Sequence, residues 1–548
     1  MYRDLALNWG VIVGFAAVMG LIVGSFVSFV IHGFRGPARV IHSIRLAASD
    51  LIFLAPRRVY ALAWLTFQEA LQRRALHAFI VGIPVFMFAQ WFLQSADQTH
   101  ISAKPYVVFV LTALKWMTLP VSLLLACWGL PQDIKDRSLH TVVTKPVRRS
   151  EVLLGRILGY WAMISVVMAV MGVVGYIWIQ RSTPSRCQEQ LIARVPIVPN
   201  ILYFYDRQGQ GGEGTVEGRQ GINVGDIWEY RSYIEGGTKA RAVWRFDTIN
   251  WDFIQKQGGL KFEYRFEAFR SHKGVLGEQL RFDMWLRRPQ PKPKEGEVGT
   301  TDTYTHKIKW PVSPPIQEYK ETFDAAIVEM KLAELESLGV KDMLEGNGLE
   351  IEIACVESAQ YVGMARTDLF VRLQDRPFAV SYGKTVLGLW LMNLLIIIIG
   401  CTGSCFLKGP VSTVLTFGLL VMGTFLRGTM DKMVLEFLNT PQGAVSGGGP
   451  IEALFRLLTQ RNVQTPLDET TTTTMIKWTD FKIFSVLSIA RHFIPDFTVF
   501  DTTWYVANGL DINLYAVVIP SLLMVISFLV PCLIIGYFAL QVRELEAK

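Results

Sequence analysis

Acidic and basic side chains make up only 18% of the 548 residues, and six cysteines and eight histidines are spread along the whole chain. No H-E-x-x-H or comparable histidine spacing occurs, which excludes the zincin type of hydrolase, and no G-x-S-x-G elbow occurs. The nearest approach to a phosphate loop is "SYGKT" (381–385), but the position five residues before Gly383 is Phe378 rather than glycine. That segment also runs straight into an apolar stretch. Neither a nucleophile with its base nor a metal-ligand spacing is present, so the chain offers no catalytic constellation of its own.

What it has in abundance is long apolar runs. Residues 9–33, 76–94, 106–130, 153–179, 383–406, 411–427 and 514–540 each read as a membrane span. The first is longer than a signal-peptide core and no small-x-small cleavage site follows, so it reads as a retained anchor. The fold class expected is a polytopic α-helical membrane protein of about seven spans with an inserted β-sandwich-like domain.

Lysine and arginine set the orientation. Arg35, Arg39, Arg45, Arg57, Arg58, Arg73 and Arg74 lie between the first two spans, and Lys135, Arg137, Lys145, Arg148 and Arg149 between the third and fourth. Basic short loops stay in the cytoplasm, so 180–382 and 428–513 are expected outside and the tail inside. The formal net charge of +7 is then a consequence of topology and calls for no nucleic acid. The expected order is an anchor span (1–33), a basic cytoplasmic segment (34–75), three spans (76–179), an outer domain (180–382), two spans (383–427), an outer loop (428–513), and a last span with a cytoplasmic tail (514–548).

The outer domain loses the long apolar runs and gains period-two alternation. In "LKFEYRFEAF" the residues Phe262, Tyr264, Phe266 and Ala268 share one face, and "VWRFDTI", "LRFDMWL", "LEIEIACV" and "DLFVRL" read alike. The intervening carboxylates and basic residues read as a solvated face. Trp228, Tyr230, Tyr233 and Trp244 divide between core and exposed surface on this reading, which suits a binding module. "ETFDAAIVEMKLAELESLG" reads as a helix ended by Gly339. In the outer loop, "GAVSGGGP" and five threonines (Thr470–Thr474) read as linker, and 478–493 as an interfacial helix. Cys187 and Cys355 are the only cysteines in the oxidising region, which leaves a disulfide between them open. Cys401 and Cys405 share a helix face without a histidine or carboxylate, a poor metal site. Lys115, some ten residues into a span, either snorkels, faces a polar seam, or lines a substrate path.

Between two spans stands "PQDIKDRSLHTVVTKPVRRSEVLLGR". A helix begun at Pro131 and stopped by Pro146 places Leu139, Val142 and Val143 on one face. Asp133 and Arg137 then form an i,i+4 pair opposite, and Asp136 projects outward. Arg148 and Arg149 anchor the next span at the head groups. Upstream, "WLTFQEALQRRALHAF" (64–79) groups Trp64, Phe67 and Leu71, with Glu69 paired to Arg73 and Arg74 beside it.

"IKDRSLHTVVTKPVRRSEVLLGRILGY" resembles the cytoplasmic segment of ABC-2-type transporter permeases, where an acidic residue, a Thr-rich turn and a Pro-x-x-Arg run recur together. The 64–79 stretch is similar to that family's elbow helix, and "GSCFLKGPVSTVLTFGLL" (403–420) to its short inner turn. "FIPDFTVFDTTWYVANGL" (493–510) resembles the segment before the last span, and "QVRELEAK" the family's ending. The first span and the outer domain are additions to the six-span core. The resemblance implies an exporting permease subunit of the bacterial cytoplasmic membrane, embedded among membrane lipids, with a second identical or related permease chain. A separate ATP-binding-cassette ATPase would dock on the 131–145 coupling helix; this chain needs no cofactor, and ATP and magnesium belong to the partner. The alternative implied is a non-transporting subunit that transmits the ATPase cycle to the outer domain.

Loss of a central apolar anchor at an interface commonly costs about 2 kcal/mol, or roughly thirtyfold in affinity. Val143→Asp is therefore expected to weaken co-purification of the ATPase by about that factor while membrane insertion is kept, as a pull-down at graded salt would read.

Overall fold

A computed structural model describes residues 53–72, 103–135, 148–209, 232–269, 280–288, 307–310, 326–344, 348–358, 360–439, 449–460, 470–515 and 517–546, with scattered positions between 14 and 50. The principal helices are α1 (Pro56–Gln72), α2 (Lys104–Lys135), α3 (Arg149–Ser182), α4 (Phe378–Phe406), α5 (Gly409–Val421), α6 (Arg427–Asn439), α7 (Pro450–Leu458), α8 (Thr471–Ala490), α9 (Thr503–Ala507) and α10 (Val518–Glu546). Among the described residues five helical stretches are long and apolar enough to cross a membrane: Lys104–Gln132, Arg149–Ser182, Phe378–Phe406, Gly409–Asp431 and Val518–Gln541. They coincide with five of the seven expected spans. The chain is thus a membrane protein, and the expected spans at 9–33 and 76–94 lie outside the described residues.

Helix α4 is the axis of the bundle. It is 83% buried over its span against 17–50% for the others, and it packs on α2, α3, α5 and α10. Its sequence is apolar on all sides, as a helix with neighbours all round must be. A two-residue turn at Leu407–Lys408 leads into α5, with Pro410 in the first helical turn where its missing N–H costs nothing.

Helix α1 packs on α3 through small residues. A Cβ at Gly155 would stand 2.6 Å from the Leu62 Cβ, and one at Gly159 2.5 Å from the Thr66 Cβ and 2.6 Å from the Ala63 carbonyl oxygen. These two glycines, four apart, let the backbones close to contact, the usual device of helices in lipid. The buried face is therefore Val59, Thr66 and Ala70. Of the grouped Trp64, Phe67 and Leu71, only Phe67 packs partly against the bundle core. Trp64 and Leu71 are exposed and Trp64 stacks on Phe67 at 5.6 Å, because outside a bundle in lipid large apolar side chains lose nothing.

Two further expectations about helices change. Helix α2 runs unbroken through Pro131 to Lys135, so 131–135 continue the span helix instead of starting a new one, and the rest of the expected coupling helix, 136–145, lies outside the described residues. Four of the five threonines form the first turn of α8 rather than a linker; the Thr470 amide donates to the Thr473 hydroxyl at 2.9 Å in a capping box.

The sheet domain lies between α3 and α4. A five-stranded antiparallel sheet runs in the order Ile201–Tyr205, Arg241–Phe246, Leu349–Cys355, Phe282–Arg287, Lys307–Lys309. A four-stranded sheet runs Ala326–Lys331, Gly259–Tyr264, Leu369–Arg372, Pro196–Ile197. Their inner faces share one core in which Tyr264 meets Phe282 edge-on at 4.9 Å and Phe262 meets Trp310 at 5.7 Å. The alternation in 259–269 is as expected, whereas "AIVEMK" is a strand paired to Gly259–Tyr264 and, among the described residues of that stretch, only Leu332–Ser337 is helical, with Gly339 left-handed after it.

The opposite face of the five-stranded sheet is not solvated as its charges suggested. Arg287, Glu350 and Glu352 are 0–2% exposed. The Arg287 guanidinium donates to Glu350 at 2.7 Å and Glu352 at 2.8 Å, and lies over the Tyr203 and Tyr205 rings. Lys307 completes the set on Glu352 at 2.8 Å. These charges are internal counter-ions.

Gly159→Leu is expected to force α1 off α3 and cost about 1–3 kcal/mol, the range for overpacking. The readout is thiol labelling at Ala70→Cys, shielded in the parent chain and opened in the variant; unchanged shielding would contradict the close packing.

Candidate functional site: a buried ionic seam

Between α8 and α10 the chain makes an irregular passage, residues 491–513, built of two single 3-10 turns and the short helix α9. It enters the bundle. Gly388, in α4, is so close to the Phe500 carbonyl oxygen that a Cβ there would lie 2.7 Å away. Gly423 meets the Pro495 carbonyl and the Phe497 ring in the same way, and the α5–α6 rod makes its one π-helical turn there, at Met422–Leu426. Non-helical backbone is tolerated at membrane depth only where protein or water satisfies it. Here the protein does.

Lys115 is eleven residues into α2, about 16 Å along the helix axis. Its ammonium group pairs with Asp501 at 2.7 Å. Asp501 also accepts from the Thr503 amide at 3.1 Å, and the Thr502 and Thr385 hydroxyls bond at 2.8 Å. Asp501 is thus held from two sides, by the Lys115 ammonium and the Thr503 amide.

A second pair lies nearer the sheet domain. Lys384 donates to Asp511 at 2.7 Å and to the Ile512 carbonyl at 2.7 Å, and Arg376 reaches the other oxygen of Asp511 at 2.9 Å. Deeper in, Asn393 donates to the Thr118 hydroxyl at 3.2 Å, while its own carbonyl oxygen is a buried acceptor without a hydrogen bond.

The same passage holds the sheet domain. The domain leaves the bundle through a two-stranded stem in which Ile192–Ala193 pairs antiparallel with Arg376–Pro377. Leu510 adds to it by a parallel bridge to Arg194, with the Arg194 amide donating to the Gly509 carbonyl at 2.8 Å and the Asp511 amide to the Arg194 carbonyl at 2.7 Å. Gly509 turns there at φ +67°, a backbone state that favours glycine. The Arg194 guanidinium binds the Asn508 carbonyl on one side and buried Glu263 of the four-stranded sheet on the other. Residues 501–511 therefore tie α2, α4 and the sheet domain together.

The far end of the bundle has its own node. Glu151, 0% exposed, accepts from the amides of Ala55 and Arg148 at 3.0 Å each. Arg148 donates to the Ser49 and Phe53 carbonyls at 3.0 and 2.7 Å and pairs with Asp50, while Arg149 lies over the Tyr537 ring. The two arginines expected at lipid head groups thus hold protein together. Glu69 pairs with Arg156 of α3 at 2.6 Å, which the close α1–α3 contact brings within reach, while its expected partner Arg73 lies outside the described residues.

Of the residues singled out from sequence, Lys115 sits in the seam and Trp64, Phe67 and Glu69 on α1. Asp133 falls in the last turn of α2. Asp136, Arg137, Leu139, Val142, Val143, Arg73 and Arg74 lie outside the described residues, as do Trp228 and Tyr230; Tyr233 and Trp244 are core. Cys187 and Cys355 are not bridged. Cys187 lies beside Tyr106 at the start of α2, whereas Cys355 ends a sheet strand and its thiol donates to the Glu357 carbonyl. Burial pushes both thiols up, Cys355 to about 12, which keeps them unreactive. Asp501, Asp511, Lys384 and Arg194 were missed. The available signal was two acids in the apolar stretch before the last span, facing two lysines inside spans, since an intramembrane lysine calls for a carboxylate.

Among the described residues no three metal-ligating side chains converge. At Asp501 one lysine faces one carboxylate, while Asp511 meets both Lys384 and the half-exposed Arg376, so each seam carboxylate is held by a cation. No protein-family model, curated protein or solved structure matches this chain.

Asp501→Asn strands the Lys115 charge. The expected cost is about 1–3 kcal/mol, below the ~3–5 kcal/mol of a wholly buried pair because the two side chains keep 15% and 30% exposure. Lys115→Met in the same chain should recover most of it in a thermal double-mutant cycle.

Proposed function

We propose that the chain is the permease subunit of an ABC-2-type exporter of the bacterial cytoplasmic membrane, driven by ATP hydrolysed on a separate subunit and paired with a second permease chain. The sequence stretches that carry the resemblance supply part of the support. Their described parts fall on a short helix packed against a span (α1), a two-residue turn between adjacent spans (407–408), and an irregular passage inserted before the last span (493–510). On this reading Leu139, Val142 and Val143 receive the ATPase, and the node of Arg148, Glu151 and Asp50 carries its movement to α1, α3 and α10.

The observation that carries the reading is the Lys115–Asp501 pair at 2.7 Å on a non-helical passage inside the bundle. In an exporter this passage is the outer gate, and the fixed pair is its closed state. Opening exchanges protein counter-ions for water or substrate.

A second reading is favoured by Arg194, whose bonds to the Asn508 carbonyl and to Glu263 join the passage to the sheet domain. In a non-transporting subunit the same seam stays closed and hands movement to that domain. Lys115→Cys, in a background without the native cysteines, separates the two. With the ATPase turning over, a membrane-impermeant thiol reagent added outside is expected to label position 115, and to label it much more slowly without ATP. Equal protection in both conditions would contradict the gate and leave the transmitter.

A further inference from the structure

A groove of about 800 Å³ runs between α1 and α3 at the end of the bundle away from the sheet domain. Its walls include Tyr60, Trp64, Phe67, Leu158 and Trp161, and among the described residues no charged side chain lines it. It opens sideways: Tyr60 is 69% and Trp64 52% exposed. On α3 the groove wall Val166 continues into Val170, Val173 and Ile177, which are 47–60% exposed and spaced by three or four residues. That stripe is the lipid-facing side of a membrane-crossing helix, so the groove is a lateral recess of the same surface.

The recess has a charged mouth. Arg57, Tyr60 and Trp64 are spaced i, i+3 and i+7 on α1, so one side of the helix carries the guanidinium one turn before the aromatic walls. Arg57 is exposed, while the neighbouring Arg58 is engaged by Glu151 at 3.5 Å. Tyrosine and tryptophan between a cation and an apolar trough match the order of a phospholipid from head group to chain. A zwitterionic head group would bring its own cation to Arg57, whereas an anionic one is complementary.

We propose that this groove binds one acyl chain of an anionic glycerophospholipid whose phosphate sits at Arg57. The site is independent of the transport reading. It places a bound lipid against α1 and α3 beside their close contact at Gly155 and Gly159.

The test uses the full chain in vesicles of equal phosphatidylglycerol and phosphatidylcholine, extracted gently and weighed intact by native mass spectrometry. One phosphatidylglycerol should be retained in preference to phosphatidylcholine. One cation at a membrane surface changes such a preference about fivefold, so Arg57→Gln should reduce it by about that factor and Arg57→Lys should keep it. Ala162→Trp, which fills the trough from the exposed side of α3, should abolish retention of both lipids. Equal retention of the two lipids by the parent chain would overturn the proposal. So would a preference untouched by Arg57→Gln, or retention untouched by Ala162→Trp. A disulfide between two copies of Trp64→Cys in membranes would assign the groove to a second copy instead.

Discussion

Two carboxylates, Asp501 and Asp511, lie on a stretch of chain that cannot leave the bundle without stranding the lysines opposite them. A charge inside a membrane protein costs several kcal/mol unless a counter-ion meets it. Lys115 and Lys384 come from helices that must cross the bilayer for reasons of hydrophobicity alone. Once those helices are in place, their ammonium groups select where residues 501–511 rest. The passage then fixes the sheet domain, because its backbone extends the stem and its carbonyls hold Arg194.

This order of dependence explains the close approaches. Gly388 and Gly423 lack side chains where the passage crosses α4 and the α5–α6 rod, and the π-helical turn at Met422–Leu426 stands at the second of these crossings. Thr385 faces Thr502 where an apolar pair would leave both buried ends of the seam less well held. At the other end of the bundle, Glu151 fulfils the corresponding role for α1, the start of α3 and the residues near Asp50. The bundle is pinned at both ends by buried acids, with apolar packing around α4 between them.

Much of this was legible. Five spans could be read from apolar length, and the sheet strands from alternation, because one face of each strand is buried whatever the partner. Reading failed where amphipathic logic assumed water outside. Helix α1 buries its small residues and exposes Trp64. It failed likewise for Glu350 and Glu352, whose alternation with apolar residues looks like a wet face but whose partner Arg287 comes from another strand. The seam was the hardest to see, since Lys115 and Asp501 are 386 residues apart and nothing local marks them as partners.

The central claim is that residues 494–512 are an integral layer of the bundle rather than a surface loop. Hydrogen–deuterium exchange of the full chain in lipid nanodiscs tests it directly. The account predicts that amides of this passage exchange as slowly as those of α4 and are released together when Lys115 and Lys384 are both replaced by methionine. Exchange as fast as that of the exposed end of α8 in the parent chain would contradict it.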